Sequence, residues 1–192
     1  TVEVLHPGTH STVQDFPGRV GYWDIGVPPS GPMDDLAFRL INRLLGNNEN
    51  AAGLEFTVSG PTLRFNSATV IALGGADMKP ALDGVAIEYW VPLAVKAGST
   101  LKLRSIKGPG QRAYLAIQGG FDVPQYMGSA ATFTLGQFGG HAGRALRAGD
   151  TLRINVAESA AESAALPAEL VPTYDTRWDI AVMYGPHAAP EF

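Results

Sequence analysis

The residues best suited to chemistry crowd into the first third of the chain. Thr12-Val13-Gln14-Asp15 is followed by Gly18-Arg19, and then by Gly26-Val27-Pro28-Pro29-Ser30-Gly31-Pro32-Met33-Asp34. Prolines and glycines at this density keep an irregular loop stiff, and stiff loops on a rigid scaffold are where sites are usually built. Carboxylates, amides and a guanidinium together can orient polar groups and stabilise developing negative charge. A plainer reading stands beside this one. Asp15 and Arg19 can instead satisfy buried backbone groups of the loop itself.

Other chemistries are excluded by what the chain lacks. With no Cys there is no disulfide, thiolate nucleophile or Cys-ligated zinc. No Ser sits in a G-x-S-x-G elbow, and Gly139-Gly140-His141 lacks the Lys-Ser/Thr ending of a phosphate-binding loop. His6 and His10 are four apart, but Pro7-Gly8 between them prevents a shared helical face. Net charge is −4 with basic residues scattered, so nucleic acid is not an expected partner. No apolar run is long enough to cross a bilayer, so no membrane is expected either. Residues 1–5 alternate like a strand rather than a signal peptide. A cytoplasmic protein is the expectation, and Thr1 in place of an initiator Met suggests an excised piece of a longer one.

The elements that must position the polar block are mostly strands. Period-2 alternation predicts strands over 1–5, 54–58, 62–65, 69–73, 100–103, 113–117 and 151–156. Asp83-Gly84 between two short apolar runs predicts a two-residue hairpin. One helix is expected at about 32–46, where Met33, Leu36, Ala37, Leu40, Ile41, Leu44 and Leu45 share a face. Ser30 would lie in its N-cap region and Gly46-Asn47 would stop it. The stretch 95–103 echoes 146–154, each a strand end, a Gly turn and a new strand. These elements predict a mainly β barrel or sandwich over 1–156, closed at its mouth or side by the Leu-rich helix. An Ala/Ser/Glu linker follows over 157–170, and 171–192 reads as the opening strand of a second, truncated domain.

The polar block also carries a resemblance. The run from Val13-Gln14-Asp15-Phe16 through Trp23-Asp24-Ile25-Gly26-Val27 to Met33-Asp34 resembles the signature of the allophanate hydrolase subunit 2 family. That family includes the carboxyltransferase region of urea carboxylase and urea amidolyase, and a subunit of bacterial 5-oxoprolinase. Collinear matches continue at Leu45-Gly46-Asn47, Gly53-Leu54-Glu55, Leu73-Gly74-Gly75-Ala76-Asp77, Gly119-Gly120-Phe121-Asp122 and Gly139-Gly140-His141. Trp23-Asp24-Ile25-Gly26 and the tail after Gly185 lean towards the urea carboxylase branch. One departure is Ala130, where many relatives have Arg after Gly128-Ser129.

The resemblance implies a cyclophilin-like closed β-barrel and carboxyl transfer from carboxybiotin to urea, giving allophanate. It implies biotin carried on another domain or chain, with ATP and bicarbonate used by a separate biotin carboxylase component. Implied partners are an allophanate hydrolase subunit 1-like domain, a biotin carboxyl carrier and the biotin carboxylase, with a small amide as substrate. Lys79 is not the biotin-bearing lysine, because Asp77 and Pro80 flank it wrongly. Asp34 and Glu55 would accept N–H groups of the acceptor, while Gln14 and Arg19 would orient ureido or carboxyl oxygens. Asp15, Ser30 and Ser129 complete the expected substrate-binding set. Against these roles, Asp34 can simply offset the helix dipole, Glu55 can pair with Arg64, and Arg19 can brace the loop. Two other functions fit the same family: a subunit of an ATP-dependent 5-oxoprolinase, and a non-catalytic binding protein like the antagonist of a sporulation-kinase inhibitor.

Overall fold

The structure, a computed structural model, describes residues 1–155 and 166–185. In chain order the strands are β1 (Val2–His6), β2 (His10–Gln14), β3 (Gly53–Thr57), β4 (Thr62–Phe65), β5 (Thr69–Gly75), β6 (Ala81–Leu82), β7 (Val85–Ala86), β8 (Leu93–Val95), β9 (Thr100–Lys102), β10 (Arg112–Ile117), β11 (Phe121–Asp122) and β12 (Thr151–Ile154). Each of the seven segments expected from alternation falls on a strand. The alternation missed β2, read only as a polar block, and the short β8 and β11.

The strands form two antiparallel sheets, one ordered β11-β12-β1-β4-β9-β6-β7 and the other β2-β3-β10-β5-β8. Both contribute to a single core. Val2, Val4, Leu63, Phe65 and Leu101 meet Val13, Leu54, Phe56, Leu73, Ala113 and Leu115, all buried. Because side chains alternate faces, a one-residue slip of any of these strands would turn its apolar set out to water. The closure expected of a barrel is not made by strand pairing among the described residues. Short strands ended by glycine turns leave two separate hydrogen-bonded sheets facing each other across the core.

Of the two expected placements, mouth or side, the helix takes the side. It lies on the outer face of the five-stranded sheet, where Ala37, Phe38, Ile41 and Leu44 pack on Ala72, Tyr114 and Ala116. Phe38 and Tyr114 meet edge to face, with centroids 5.9 Å apart. α1 spans Asp35–Leu44, and its cap is Asp34 rather than Ser30: Asp34 Oδ1 accepts the Ala37 N–H at 3.0 Å. At the other end Gly46 and Asn47 donate backward to the Arg43 and Asn42 carbonyls, both at 3.0 Å. That is a Schellman stop, and it uses the positive φ of Gly46 (68°). The buried stripe is Ala37, Phe38, Ile41, Asn42 and Leu44, whereas Met33 and Leu36 are exposed. Starting at Asp35 leaves Met33 off the helix, and the line of contact with the sheet runs through Phe38 and Asn42.

Two local expectations appear in detail. Ala81–Leu82 and Val85–Ala86 pair across Asp83 (φ 49°) and Gly84 (φ 85°), the left-handed pair such a hairpin needs. The 95–103 and 146–154 echo is an equivalent corner in space. Gly98 N–H bonds to Phe65 and Phe65 N–H to Ser99, while Gly149 N–H bonds to Val4 and Val4 N–H to Asp150. Phe65 and Val4 lie on the paired strands β4 and β1.

Residues 157–165 of the expected linker lie outside the described residues, as do 156 and 186–192. Ala168–Leu170 makes a 3-10 turn. The strand expected at Trp178 is not formed: residues 178–185 are exposed and unpaired, and an extended segment without a neighbour has no ladder. No helix among the described residues is long and apolar enough to cross a membrane.

Candidate functional site

Strand register sets a polar row across the five-stranded sheet. Thr12 is the partner of Glu55, Glu55 of Tyr114, and Tyr114 of Gly74. Their neighbours Val13, Leu54, Phe56, Ala113 and Leu115 all point into the core. The row therefore stands on the opposite face, under the start of α1.

Asp34 and Glu55 are joined there through Tyr114. The Tyr114 hydroxyl donates to Glu55 Oε2 at 3.0 Å and accepts the Asp34 N–H at 2.8 Å. Glu55 Oε2 also accepts the Met33 N–H at 2.8 Å, which ties the loop to the sheet just before the helix begins. Asp34 Oδ2 accepts the Tyr174 hydroxyl at 2.6 Å, a contact spanning 140 residues of sequence. Burial first, then the Glu55 charge, pushes the Tyr114 phenol well above its usual range, and burial followed by the bond to Asp34 does the same for Tyr174. Both phenols therefore stay protonated and act as donors, leaving the two carboxylates as acceptors. The N-terminal end of α1 adds a favourable positive field at Asp34.

Glu55 does not pair with Arg64, which is taken by Glu3. Its charged neighbour is Arg112, whose Nε lies 3.5 Å from Glu55 Oε1. That contact is an ion pair without hydrogen-bond geometry, and the buried Arg112 Nε–H has no partner. Beside the row opens a cavity of about 570 Å³, lined by Gly75, Lys79, Trp90, Lys107, Pro172 and Tyr174.

The remaining expected site residues form a separate buried clamp. Arg19 is fully buried, donating to the carbonyls of Tyr126 at 2.9 Å and Ala131 at 2.8 Å, with its guanidinium 4.9 Å from the Phe138 centroid. Desolvation lowers its pKa while nearby Asp15 opposes the shift. Asp15 accepts from Ser129 Oγ at 2.5 Å and the Ala130 N–H at 2.7 Å, and Ser129 Oγ accepts the Ala131 N–H at 2.9 Å. Gly139 must be glycine here. A Cβ on it would lie 2.1 Å from the Ala131 oxygen and 2.7 Å from Arg19 Nη2. These contacts fit the plainer reading of Asp15 and Arg19, since both satisfy buried backbone groups, while the buried Arg19 Nη1 has no hydrogen-bond partner among the described residues.

Gln14 links the clamp to the row, accepting the Gly31 N–H and donating to Thr12 Oγ1, each at 3.0 Å. Ser30 holds a left-handed turn (φ 58°) between them. Asp15 and Ala130 also line a second, amide-rich cavity of about 590 Å³ at the C-terminal end of α1. His6 Nδ1 accepts the Gly8 N–H, and no cluster of three potential metal ligands occurs among the described residues.

Sequence reasoning missed Tyr114, Arg112, Trp90 and Tyr174. Tyr114 and Arg112 were readable in principle, since both interrupt the apolar beat of β10 on the side facing Glu55. Tyr174 had no signal, because its partner is distant and its own segment is irregular.

The carboxyltransferase domain family, subdomain A and B, matches residues 25–192. The urea amidolyase of Lachancea kluyveri is 47% identical over 200 aligned residues, covering 99% of this chain and 11% of that protein. A 5-oxoprolinase subunit of Escherichia coli is 39% identical over 153 residues, covering 80% of this chain and 49% of that one. Among solved structures, the crystal structure of the K. lactis urea amidolyase superposes with a TM-score of 0.91 at 45% identity, covering 97% of this chain and 12% of that one. The chain thus spans a small fraction of the urea amidolyases it matches.

Proposed function

This chain belongs to the carboxyltransferase domain family, subdomain A and B, and on that premise we propose that it forms part of the carboxyltransferase component of a biotin-dependent urea carboxylase. The observation that carries this reading is the extent of similarity. The Lachancea kluyveri urea amidolyase resembles the chain at 47% identity over 99% of its length, whereas the Escherichia coli 5-oxoprolinase subunit resembles it at 39% over 80%.

The geometry suits the acceptor half of such a reaction. Urea is planar, neutral and rich in N–H donors, so its site needs fixed acceptors. Asp34 and Glu55 supply them, held in orientation by hydroxyl and backbone donors. Glu55 Oε1 carries no hydrogen bond, and beside it the unpartnered Arg112 Nε–H is a donor suited to a carbonyl or carboxylate oxygen. Gln14, Asp15, Arg19, Ser30 and Ser129 act as positioning residues, keeping the 13–34 loop in the shape that delivers Met33 and Asp34 to the row.

The adjoining cavity fits a planar ring bearing an anion, with Trp90 as a flat wall and Lys107 as a cation. Biotin, carried on another domain, would supply the activated carboxyl group there, and biotin carboxylase with ATP and bicarbonate would load it. The chain alone supplies neither, so we expect it to be inactive by itself.

The test is made in the uninterrupted parent enzyme. Urea should drive bicarbonate-dependent ATP consumption, and Asp34→Ala or Glu55→Ala should each lower urea-dependent turnover at least tenfold, the worth of about one hydrogen bond to a charged group. Retained activity in either variant removes that residue from the site. ATP hydrolysis stimulated by 5-oxoproline instead of urea would replace the reading with the 5-oxoprolinase one.

A further inference from the structure

The amide-rich cavity lies at the opposite end of α1 from the carboxylate row, and nothing in the proposed reaction uses it. Its volume of about 590 Å³ is usual for a small-molecule site. Asp15 stands in its wall and is only 5% exposed. Each oxygen of that carboxylate accepts a single hydrogen bond, one from Ser129 Oγ and one from the Ala130 N–H, so each keeps a lone pair. No cation pairs with Asp15 among the described residues, because the Arg19 guanidinium nearby donates to the carbonyls of Tyr126 and Ala131 instead. A buried charge ordinarily has a partner. Here the cavity is the open side from which one can reach it.

The rest of the wall has the same sign. Asp122 joins Asp15, no Lys, Arg or His lines the cavity, and the negative end of the α1 dipole arrives there at Leu45 and Gly46. The amides of Asn47 and Asn155 are engaged with backbone and stiffen the wall. Those of Gln118 and Gln125 make no hydrogen bond among the described residues, so their carbonyl oxygens are free acceptors. The cavity beside the row, by contrast, carries Lys79 and Lys107.

We infer that the amide-rich cavity binds a guanidinium group, with Asp15 and Asp122 compensating its charge and the amide oxygens of Gln118 and Gln125 accepting its further N–H groups. A guanidinium is a planar array of donors with no acceptor. It is also more weakly hydrated than an ammonium, so it exchanges water for spaced acceptors at lower cost. Urea has nearly the same shape without the charge, and the two carboxylates tell them apart. The group can belong to a free small molecule or to an arginine side chain of another domain. The assignment goes beyond the functional reading above and does not rest on it.

The test titrates the isotopically labelled chain with methylguanidinium chloride at millimolar, non-denaturing concentration, and separately with urea and with methylammonium chloride. Backbone amide resonances locate the binding. Saturable shifts are expected at Ala130, which donates to Asp15, and at Gly119 in the wall, with methylguanidinium bound at least tenfold more tightly than either control. Asp122→Asn should weaken it about 3-fold, as an exposed charge does, and Gln118→Leu about 10-fold, the worth of one hydrogen bond to a charged group. Neither change touches the Asp15 clamp, and circular dichroism verifies that both variants fold. Equilibrium dialysis of labelled methylguanidinium against the uninterrupted parent separates the sources. Binding kept there assigns the cavity to a free guanidinium compound, and binding seen in the chain but blocked in the parent assigns it to an arginine of another domain. Shifts confined to Met33 and Asp34 at the carboxylate row, equal affinity for urea, or affinity unchanged in both variants overturns the assignment. Any of these results leaves the urea-driven reaction to be judged by its own assay.

Discussion

Tyr114→Phe isolates the link that joins the two carboxylates. The change keeps the ring, its edge contact with Phe38 and its volume, and removes one oxygen. That oxygen donates to Glu55 at 3.0 Å and accepts from the Asp34 N–H at 2.8 Å, in a residue with no exposure. A hydrogen bond to a charged group contributes about 1.5–3 kcal/mol, and a buried N–H left without a partner costs about 1–3 kcal/mol. The two losses share one site and do not add fully, because Glu55 keeps its bond from Met33. The expected destabilisation is about 2–4 kcal/mol, which for a chain of this size lowers Tm by roughly 5–15 °C. Thermal unfolding followed by circular dichroism reads it directly. Tyr174→Phe is the comparison: its hydroxyl is only half-buried and reaches Asp34 from outside the sheet, so it should cost about 1 kcal/mol or less. A Tm within about 2 °C of the parent chain for Tyr114→Phe, or an equal fall for both variants, would refute the idea that the row is held through this phenol.

Two further predictions concern the frame. Asp150 is held down at about 2, first by its paired hydrogen bonds from Arg144, which outweigh the opposing effect of burial, and then by the Arg147 N–H and His141. A depressed carboxyl contributes stability that is present above its unfolded value near 4 and is lost as pH falls from about 4 to 2. Asp150→Asn should remove roughly 1–2 kcal/mol at pH 7, after allowing for solvent screening, and flatten that acid branch in denaturant titrations. Gly139→Ala should destabilise by about 3 kcal/mol or more, because the new methyl collides with the Ala131 carbonyl and the Arg19 guanidinium. A Gly139→Ala variant as stable as the parent to guanidinium chloride would mean that the Arg19 clamp is not close-packed.

Much of the frame was legible because its signals are local. Alternation located β1, β3, β4, β5, β9, β10 and β12, and Asp83-Gly84 marked its hairpin. The helix was found but begins three residues later and ends two earlier than expected, since Met33 fits the periodicity without lying on the helix. The site was half legible. Asp34 and Glu55 were picked as a pair and do meet through one phenol, whereas Arg19, Asp15 and Ser129 form a separate buried clamp, with Asp15 also lining the second cavity. A buried Arg and a ligand-binding Arg look alike in sequence, because the difference lies in which carbonyls close around it.

By itself the sequence determined where strands and helix run, where the chain turns, and which family it belongs to, since each depends on residues close together or in collinear motifs. Only the tertiary structure decided which face of β3 and β10 carries the polar row under the helix, that α1 rides on the outside of one sheet, and that Tyr174 reaches back to Asp34. Those outcomes depend on contacts between residues 59 to 140 positions apart. They follow from how two sheets share one core, a free energy that no short window of residues contains.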